Sequence, residues 1–576
     1  MSSSIISTDK AKCRDCYRCV RMCPVKAIRI SDGQAQVDGD RCINCGTCVR
    51  ECPQKAKHVR KDIEKVIELI NSKSKLVASV APSFPAAFPE LETGKLASAI
   101  RKLGFEKVTE TAVGAEMVAK ATADILKDAP EDTWVTSSCP VVVNLVEKYY
   151  PNSCINITPI ASPMIAHGRY LKEKYGKDSK VVFIGPCAAK KLESENDKND
   201  SVDVVITFDE LKILFEEFKI NPSAVEVDDF DDVRPINAQL FPLEGGLAKT
   251  AQIASGLLRE DFVPVSGSDH VREMLEHIDE ESPVRLFEAL FCPGGCINGP
   301  CLDRTHNIYD RRGRVLKHHK DLRHSASEEY VPCTDKCIDL HMAIKPYEID
   351  KSQFTEEQIQ QVLLQTGKKT KEDELNCGGC GYLTCRDNAI AVLSGMAEYS
   401  MCLPWMRRLA ERKADQIVDN SPNGILMLDS DLNIVSFNPA FASMFAATDK
   451  LIGKPISTLM DPVDFEKVAG NVVDKLNRNV VNFPQYGLIA SVSIYKIEDA
   501  NMLVGIFSNI TKNKEDETRI NKMKEETLES AQSVIEKQMR MAQEIASILG
   551  ETTSETRVLL HKLTELAKES QKSGDK

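Results

Sequence analysis

The chain has 576 residues, 42% hydrophobic and 28% charged, with a net charge of -12 and 20 cysteines. A length of this order exceeds what one hydrophobic core organises, so about three to five domains are expected, and so acidic a balance argues against a nucleic-acid partner, because phosphate binding needs a basic surface. The cysteines fall in tight groups separated by long gaps, the pattern of metal-ligand sets rather than of a secreted disulfide scaffold. Residues 1–10 are polar and no later stretch approaches the length of a membrane span, so the expected location is the cytoplasm, with no membrane partner.

Residues 1–60 carry Cys13-x2-Cys16-x2-Cys19-x3-Cys23-Pro24 and then the same run as Cys42, Cys45, Cys48, Cys52 and Pro53. Two such runs predict two 4Fe-4S cubanes. In the bacterial ferredoxin pattern the first three cysteines of a run hold one cluster and the fourth crosses to the other. Cys13, Cys16, Cys19 and Cys52 would then hold one cubane, and Cys42, Cys45, Cys48 and Cys23 the second. A pair of zinc sites is the alternative, but it leaves the prolines and the doubled spacing unexplained. Ala27, Ile28, Ile30 and Val37, around an Asp32-Gly33 turn, predict short strands beneath the clusters.

Residues 74–325 alternate apolar runs with amphipathic stretches, such as Leu76 to Val80, a helical segment near Lys95 to Leu103, and Val181 to Ile184, which predicts an α/β domain. Three of its segments bear cysteine and end or follow apolar strands: Thr136-Ser137-Ser138-Cys139-Pro140, Gly185-Pro186-Cys187-Ala188-Ala189-Lys190-Lys191-Leu192-Glu193, and Phe291-Cys292-Pro293-Gly294-Gly295-Cys296. Four thiolates on separate loops suffice for one cubane. In order and separation these segments resemble the signature loops of the iron-only (FeFe) hydrogenases.

That resemblance implies that Cys139, Cys187, Cys292 and Cys296 hold a cubane, with Cys296 bridging to a two-iron unit that carries carbonyl, cyanide and an azadithiolate. It further implies that Lys190 donates to a cyanide, that Glu193 belongs to the same motif, that Pro82 and Ser83 contact the other cyanide, and that Pro186 lies at the cofactor. The family's catalytic members place a thiol proton relay where this chain has Ser138. A hydroxyl titrates far above a thiol's value of about 8.5, so Ser138 predicts slow turnover. Downstream of Glu110-Thr111, where relay glutamates stand in the enzymes, the chain reads Lys120, Ala121 and Thr122. Gly185 and Leu290 replace the usual methionines, and Glu244 the usual threonine before Gly245-Gly246. Cys154 and Cys301 are unassigned: a buried spectator thiol is expected of each, with an alternative proton route or ligand as the other reading.

Residues 326–410 contain Cys333 and Cys337, then Cys377-Gly-Gly-Cys380-Gly-x3-Cys385, and Cys402 after a helix-length gap. Cys377, Cys380, Cys385 and Cys402 predict a further 4Fe-4S site, similar to a small iron-sulfur domain of carbon monoxide dehydrogenase/acetyl-CoA systems, with zinc as the alternative. The roles of Cys333 and Cys337 stay open.

Residues 415–512 change character: Ile425 to Leu428, an Asp429-Ser430-Asp431 turn, Ile434 to Phe437, a helix opened by Asn438-Pro439, and late strands near 488–497 and 502–510 resemble a PAS domain. With no histidine or cysteine between Trp405 and Arg557, a His-ligated haem is excluded, and a cofactor-free interaction module is expected. In residues 513–576, Ile520, Thr527, Val534, Met541 and Ile548 recur every seven residues, one seam of a coiled coil, with Gly550 expected to break the helix and Thr552 to Ser554 to cap a last one.

The fold class is therefore multidomain α/β and α+β: a ferredoxin-like module, an α/β hydrogenase-type domain, a small iron-sulfur domain, a PAS domain and a helical tail. The resemblance implies a sensory FeFe hydrogenase that oxidises hydrogen slowly and reports through iron-sulfur clusters and the PAS domain to a separate kinase or phosphatase. Its implied partners are molecular hydrogen, a ferredoxin-like electron partner, maturation proteins and a second copy through the PAS domain and coiled coil. A catalytic ferredoxin-linked hydrogenase, and an iron-sulfur redox sensor without the two-iron unit, are the alternatives.

Overall fold

A computed structural model describes residues 5–570 except 130, 233, 236, 254–260, 279–282, 326–337, 348, 350–352 and 498–500. The chain divides into two compact units, Met1–Met406 and Arg407–Lys576. Among the described residues no helix is long and apolar enough to cross a membrane.

In the first unit, strand Ile6–Thr8 pairs antiparallel with Lys57–Val59, and Ile28–Ser31 with Gln34–Val37. The hairpin turns at Asp32 and Gly33, whose φ values of 51° and 69° are those a two-residue turn requires. Short helices Arg18–Met22 and Thr47–Glu51 each carry the third cysteine of a run.

The α/β part holds two parallel sheets. One is ordered Lys107–Glu110, Leu76–Val80, Lys180–Gly185, Val204–Thr207, and the other Phe262–Ser266, Leu286–Leu290, Trp134–Val135. Every residue of Leu76–Val80 is buried, as a strand covered on both faces must be. Because parallel strands end on the same edge, the loops after them gather there, and those loops carry the cysteine motifs. Residues 340–342 return to this domain, where Ala161 N–H donates to Leu340 O and Met342 N–H to Pro159 O.

Near the end of the first unit, helices Glu356–Gln365 and Cys385–Leu393 pack through Ile359, Val362, Leu363 and Ala389.

The second unit is built on a five-stranded antiparallel sheet ordered Ile434–Phe437, Gly424–Leu428, Met502–Asn509, Leu488–Ile497, Lys475–Phe483. Asn438 caps helix Pro439–Phe445 by accepting from Phe441 N–H at 2.9 Å. Phe441, Phe445, Phe483 and Phe507 make edge and tilted contacts in its core.

The tail corrects one expectation: Thr511–Ser570 is one continuous helix, neither broken at Gly550 nor restarted at Thr552. A single glycine costs a helix only about 1 kcal/mol relative to alanine. Thr552 Oγ1 donates back to Ile548 O at 2.6 Å, so its hydroxyl serves the running helix and caps nothing.

Candidate metal centre

Cys139 follows Trp134–Val135 and precedes helix Pro140–Tyr149; Cys187 follows Lys180–Gly185; Cys292 and Cys296 follow Leu286–Leu290. Pro82 and Ser83 lie just beyond the end of Leu76–Val80. Gly294 and Gly295 hold φ values of 74° and 96°; Gly295 N–H donates to Cys292 O at 2.9 Å, which turns the last loop, and Cys296 N–H donates to Pro242 O at 2.8 Å, which ties it to the segment at 242–243.

These loops bring the four thiols into one another's field. Burial, then Cys139, pushes the Cys187 thiol up to about 11. Burial with Cys139 and Cys187 lifts Cys296 to about 12. Cys292 is raised well above its ordinary value by burial, Cys187, Cys139 and Cys296. Thiols so crowded in an apolar place become thiolates only around positive charge, which the iron of a cluster supplies. Among the described residues no three ligand-type side chains converge on the single point one ion would occupy. Cubane thiolates stand wider apart than that.

Two further atoms fit a bulky polar group. Ser83 Oγ and Ser138 Oγ are buried with no protein partner, and these are the two hydroxyls that the sequence resemblance sets beside the two-iron unit. Lys190 is buried, and its Nζ donates to Ser162 Oγ at 2.8 Å and to Glu193 Oε2 at 2.7 Å, so Glu193 and Lys190 act as a pair. Pro186 accepts from Cys301 N–H at 3.3 Å.

Sequence reasoning missed two residues here. Ser266 Oγ donates to Glu244 Oε2 at 3.0 Å and accepts from Gly294 N–H at 3.0 Å, so Glu244 and Ser266 brace the last cysteine loop. Glu288, four residues before Cys292, accepts from Leu247 N–H at 3.1 Å and Ala248 N–H at 3.3 Å. Burial pushes its carboxyl up to about 7 despite those amides. For Ser266 the signal was its place at the carboxyl end of a parallel strand, and for Glu288 a carboxylate in the middle of the otherwise apolar run Leu286–Leu290.

Residue 138 is a serine, and neither a thiol nor a carboxylate stands at residues 120–122. Lys120, Ala121 and Thr122 lie on helix Ala112–Asp128, and Thr122 Oγ1 donates to its own helix at Val118 O, 2.8 Å away. Glu110 is bound by Arg234 at 2.6 Å and by Gln239 Nε2.

In the N-terminal module Cys13, Cys16, Cys19 and Cys52 line one cavity. Burial, then Cys45, Cys42 and Cys23, raises Cys48 well above its ordinary value, so the fourth cysteine of each run stands with the other run's three. Ala27 N–H points at Cys23 Sγ at 3.3 Å, Asn44 N–H at Cys42 Sγ at 3.3 Å and Ala56 N–H at Cys52 Sγ at 3.2 Å. The second run abuts the central domain: Lys148 Nζ donates to Cys42 O at 2.9 Å, and Ile43 and Cys45 belong to the same apolar cluster as Cys139, Cys187 and Phe291.

Burial, then Cys402 and Cys377, raises Cys380. Cys385 N–H donates to Asn376 Oδ1 at 2.7 Å, closing the loop that bears Cys377 and Cys380. This group docks on the N-terminal module, where Arg21 Nη1 donates to Gly379 O at 3.2 Å and Lys26 Nζ to Gly381 O at 2.8 Å. Cys333 and Cys337 lie outside the described residues. Cys154 and Cys301 are buried; burial raises both thiols, with Glu147 adding for Cys154 and Cys187 for Cys301.

Comparison with known proteins places the C-terminal domain of the iron-only hydrogenase large chain at residues 74–300, a 4Fe-4S dicluster domain at 5–66, an Fe-S cluster domain at 373–404 and a PAS domain at 413–480. The chain is 28% identical over 370 residues to Iron hydrogenase 1 of Clostridium pasteurianum, across 52% of this chain and 64% of that one. It is 28% identical over 391 residues to the NADP-reducing hydrogenase subunit HndD of Solidesulfovibrio fructosivorans, across 55% and 62%. The chain thus spans less than two thirds of the length of either relative. A variant of the FeFe-hydrogenase HydA1 from Chlamydomonas reinhardtii superposes with a TM-score of 0.37 at 18% identity, across 44% of this chain and 88% of that structure.

Proposed function

We propose that this chain, whose residues 74–300 belong to the C-terminal domain family of the iron-only hydrogenases, is a hydrogen sensor that oxidises hydrogen slowly and reports its redox state to a separate signalling protein. Cys139, Cys187, Cys292 and Cys296 would hold the cubane, and Cys296 would bridge to a two-iron unit with carbonyl, cyanide and azadithiolate ligands. When bound, that unit supplies reversible splitting of hydrogen into two protons and two electrons. Lys190, with Glu193 and Ser162 fixing its ammonium, would donate to one cyanide, and Ser83 and Pro82 would meet the other. Cys13, Cys16, Cys19, Cys52, then Cys23, Cys42, Cys45, Cys48, and Cys377, Cys380, Cys385, Cys402 would hold three further clusters. The PAS unit and the exposed stripe of helix Thr511–Ser570 support self-association and docking of an effector kinase or phosphatase.

One observation carries the choice of sensor over enzyme. At Ser138 a buried hydroxyl without a partner stands where fast proton transfer calls for a thiol. The test is anaerobic loading with a synthetic two-iron cofactor, followed by infrared spectra under argon and under hydrogen with turnover measured in parallel. Hydrogen-dependent carbonyl and cyanide shifts with slow turnover support the sensor. Fast turnover would make the protein a ferredoxin-linked hydrogenase, and absent bands would leave an iron-sulfur redox protein.

A further inference from the structure

Among the described residues the buried lysines are Lys57, Lys190, Lys191 and Lys368. A buried ammonium needs a counter-charge. Lys190 finds Glu193, and Lys191 finds Asp62 and Glu210. Among the described residues Lys57 and Lys368 have no carboxylate at ion-pair distance, and both stand beside cysteine groups. Lys57 lines the cavity of Cys13, Cys16, Cys19 and Cys52, where its Nζ donates to Thr8 Oγ1 at 2.5 Å and Ala35 O at 3.0 Å.

Lys368 is the more informative of the two because it touches a sulfur directly. It follows helix Glu356–Gln365, where Gly367 with φ 73° turns the chain and Lys368 N–H closes on Leu363 O at 2.9 Å. That turn sends the side chain inward. Only 5% of the residue is exposed, and Nζ donates to Thr366 Oγ1 at 2.7 Å and to Cys402 Sγ at 3.4 Å. Thr366 Oγ1 is itself bound to Leu363 O at 3.0 Å, which fixes the ammonium from behind. Lys368 also lies outside residues 373–404, the stretch that the Fe-S cluster model matches.

We propose that Lys368 is the counter-charge of a 4Fe-4S cluster on Cys377, Cys380, Cys385 and Cys402, and that its donation to the Cys402 sulfur raises that cluster's reduction potential. The inference rests on the cluster reading above. One-electron reduction adds one negative charge to the site, and a fixed cation stabilises the reduced form more than the oxidised one. A donor on a ligating sulfur acts in the same direction. Lys368 is thus a positioning residue for charge, acting through Cys402.

The experiment is a potentiometric titration of the full chain, loaded with iron and sulfide, followed by electron paramagnetic resonance. Cys402→Ser identifies which signal and how much iron belong to this site. Lys368→Met removes charge and donor, Lys368→Gln removes the charge alone, and Lys368→Arg keeps both. Lys368→Met and Lys368→Gln are expected to weaken reduction of the assigned cluster at least tenfold, a drop of about 59 mV for one electron, with iron content unchanged. Lys368→Arg should stay near the parent. An unchanged potential in Lys368→Met would overturn the role of the lysine while leaving the cluster in place. Loss of the site's iron in both uncharged variants would make Lys368 a structural residue and also overturn it. If Cys402→Ser removes neither signal nor iron, the cluster reading itself fails, and the inference with it.

Discussion

Lys191→Met tests how firmly the start of the α/β domain is tied to the loop of Cys187. Lys191 is buried, and its ammonium meets Asp62 at 2.9 Å and Glu210 at 3.0 Å, both carboxylates having 4% exposed side chains. Asp62 N–H also donates to Glu210 Oε1 at 2.6 Å, which joins the two acids. Taking away the lysine leaves the Glu210 carboxylate without its cation in the interior and Asp62 with only Arg60 and Lys65, a loss of about 3–5 kcal/mol. With a urea slope of about 3 kcal/mol per M, a loss of about 4 kcal/mol lowers the midpoint by about 1.3 M. Both tryptophans, Trp134 and Trp405, fall in the unit Met1–Met406, so intrinsic fluorescence follows that unit alone. The pH dependence has a definite sign. Burial would raise Asp62, but the Lys191 ammonium, with Lys65 and Arg60, holds its carboxyl below the usual range. Its stabilisation is therefore present above the unfolded value of about 4 and is lost as pH falls through the depressed folded value. In the variant Asp62 loses the Lys191 ammonium and takes up a proton more readily, so the gap to the parent should narrow as pH falls. Adding Asp62→Asn and Glu210→Gln should recover most of the midpoint. A shift of less than about 0.3 M, or a triple variant no more stable than Lys191→Met, would refute the assignment to buried charge.

Ser138→Cys should raise hydrogen oxidation by about 100-fold in a dye-reduction assay of the cofactor-loaded protein, since general acid-base groups contribute on that scale; equal rates would place the slow step elsewhere. Glu288 is an acid whose folded value, about 7, lies above its ordinary 4.5. Its contribution is fully present below about 4.5 and is lost as pH rises to about 7, a change of about 3 kcal/mol. Glu288→Gln should flatten that fall in tryptophan-monitored stability, and an unaltered pH profile would refute it. Val534→Glu with Met541→Glu places charge in the exposed stripe of the tail, where those residues are 55% exposed, and should halve the mass in sedimentation velocity; an unchanged mass would show that the stripe does not hold two copies together.

The iron-sulfur motifs were legible because their chemistry is written in local spacing. Cys13 to Cys23 and Cys42 to Cys52 need no knowledge of the fold to be grouped, and the structure then crosses Cys52 and Cys23 between the groups. The strands after which Cys187 and Cys292 fall were visible as apolar runs, for the same reason that Leu76–Val80 was. What stayed hidden joins residues far apart in sequence: Lys368 to Cys402, Lys191 to Asp62, Ser266 to Gly294. Nothing in the local composition of Lys368 separates it from Lys369 beside it, because the difference is the inward turn made at Gly367. The strand Lys475–Phe483 escaped notice for another reason. It is an edge strand, and its exposed Lys, Asn and Arg side chains lack the alternation that marks a half-buried strand. At Gly550 the opposite error arose, a local signal outweighed by the helix on either side.

The order in which the cysteine groups touch carries the functional argument further than the motifs do. The second run meets the central domain through Lys148, on helix Pro140–Tyr149, which donates to Cys42 O, and through Ile43 and Cys45, which share an apolar cluster with Cys139 and Cys187. The group of Cys377 and Cys380 meets the helix of Cys19 and the turn after Cys23 through Arg21 and Lys26. The N-terminal module is therefore in contact with the segments that carry both of the other thiol groups. An exchange of electrons with a soluble carrier needs only the central site and the N-terminal module. On the proposed reading the additional group at Cys377 to Cys402 is not required for that exchange, and its last cysteine immediately precedes helix Leu403–Asp419. On that same reading, a cluster at that point with Lys368 as its counter-charge would serve to hold an electron, as a reporter of hydrogen requires if its oxidised and reduced states are to persist long enough to be read.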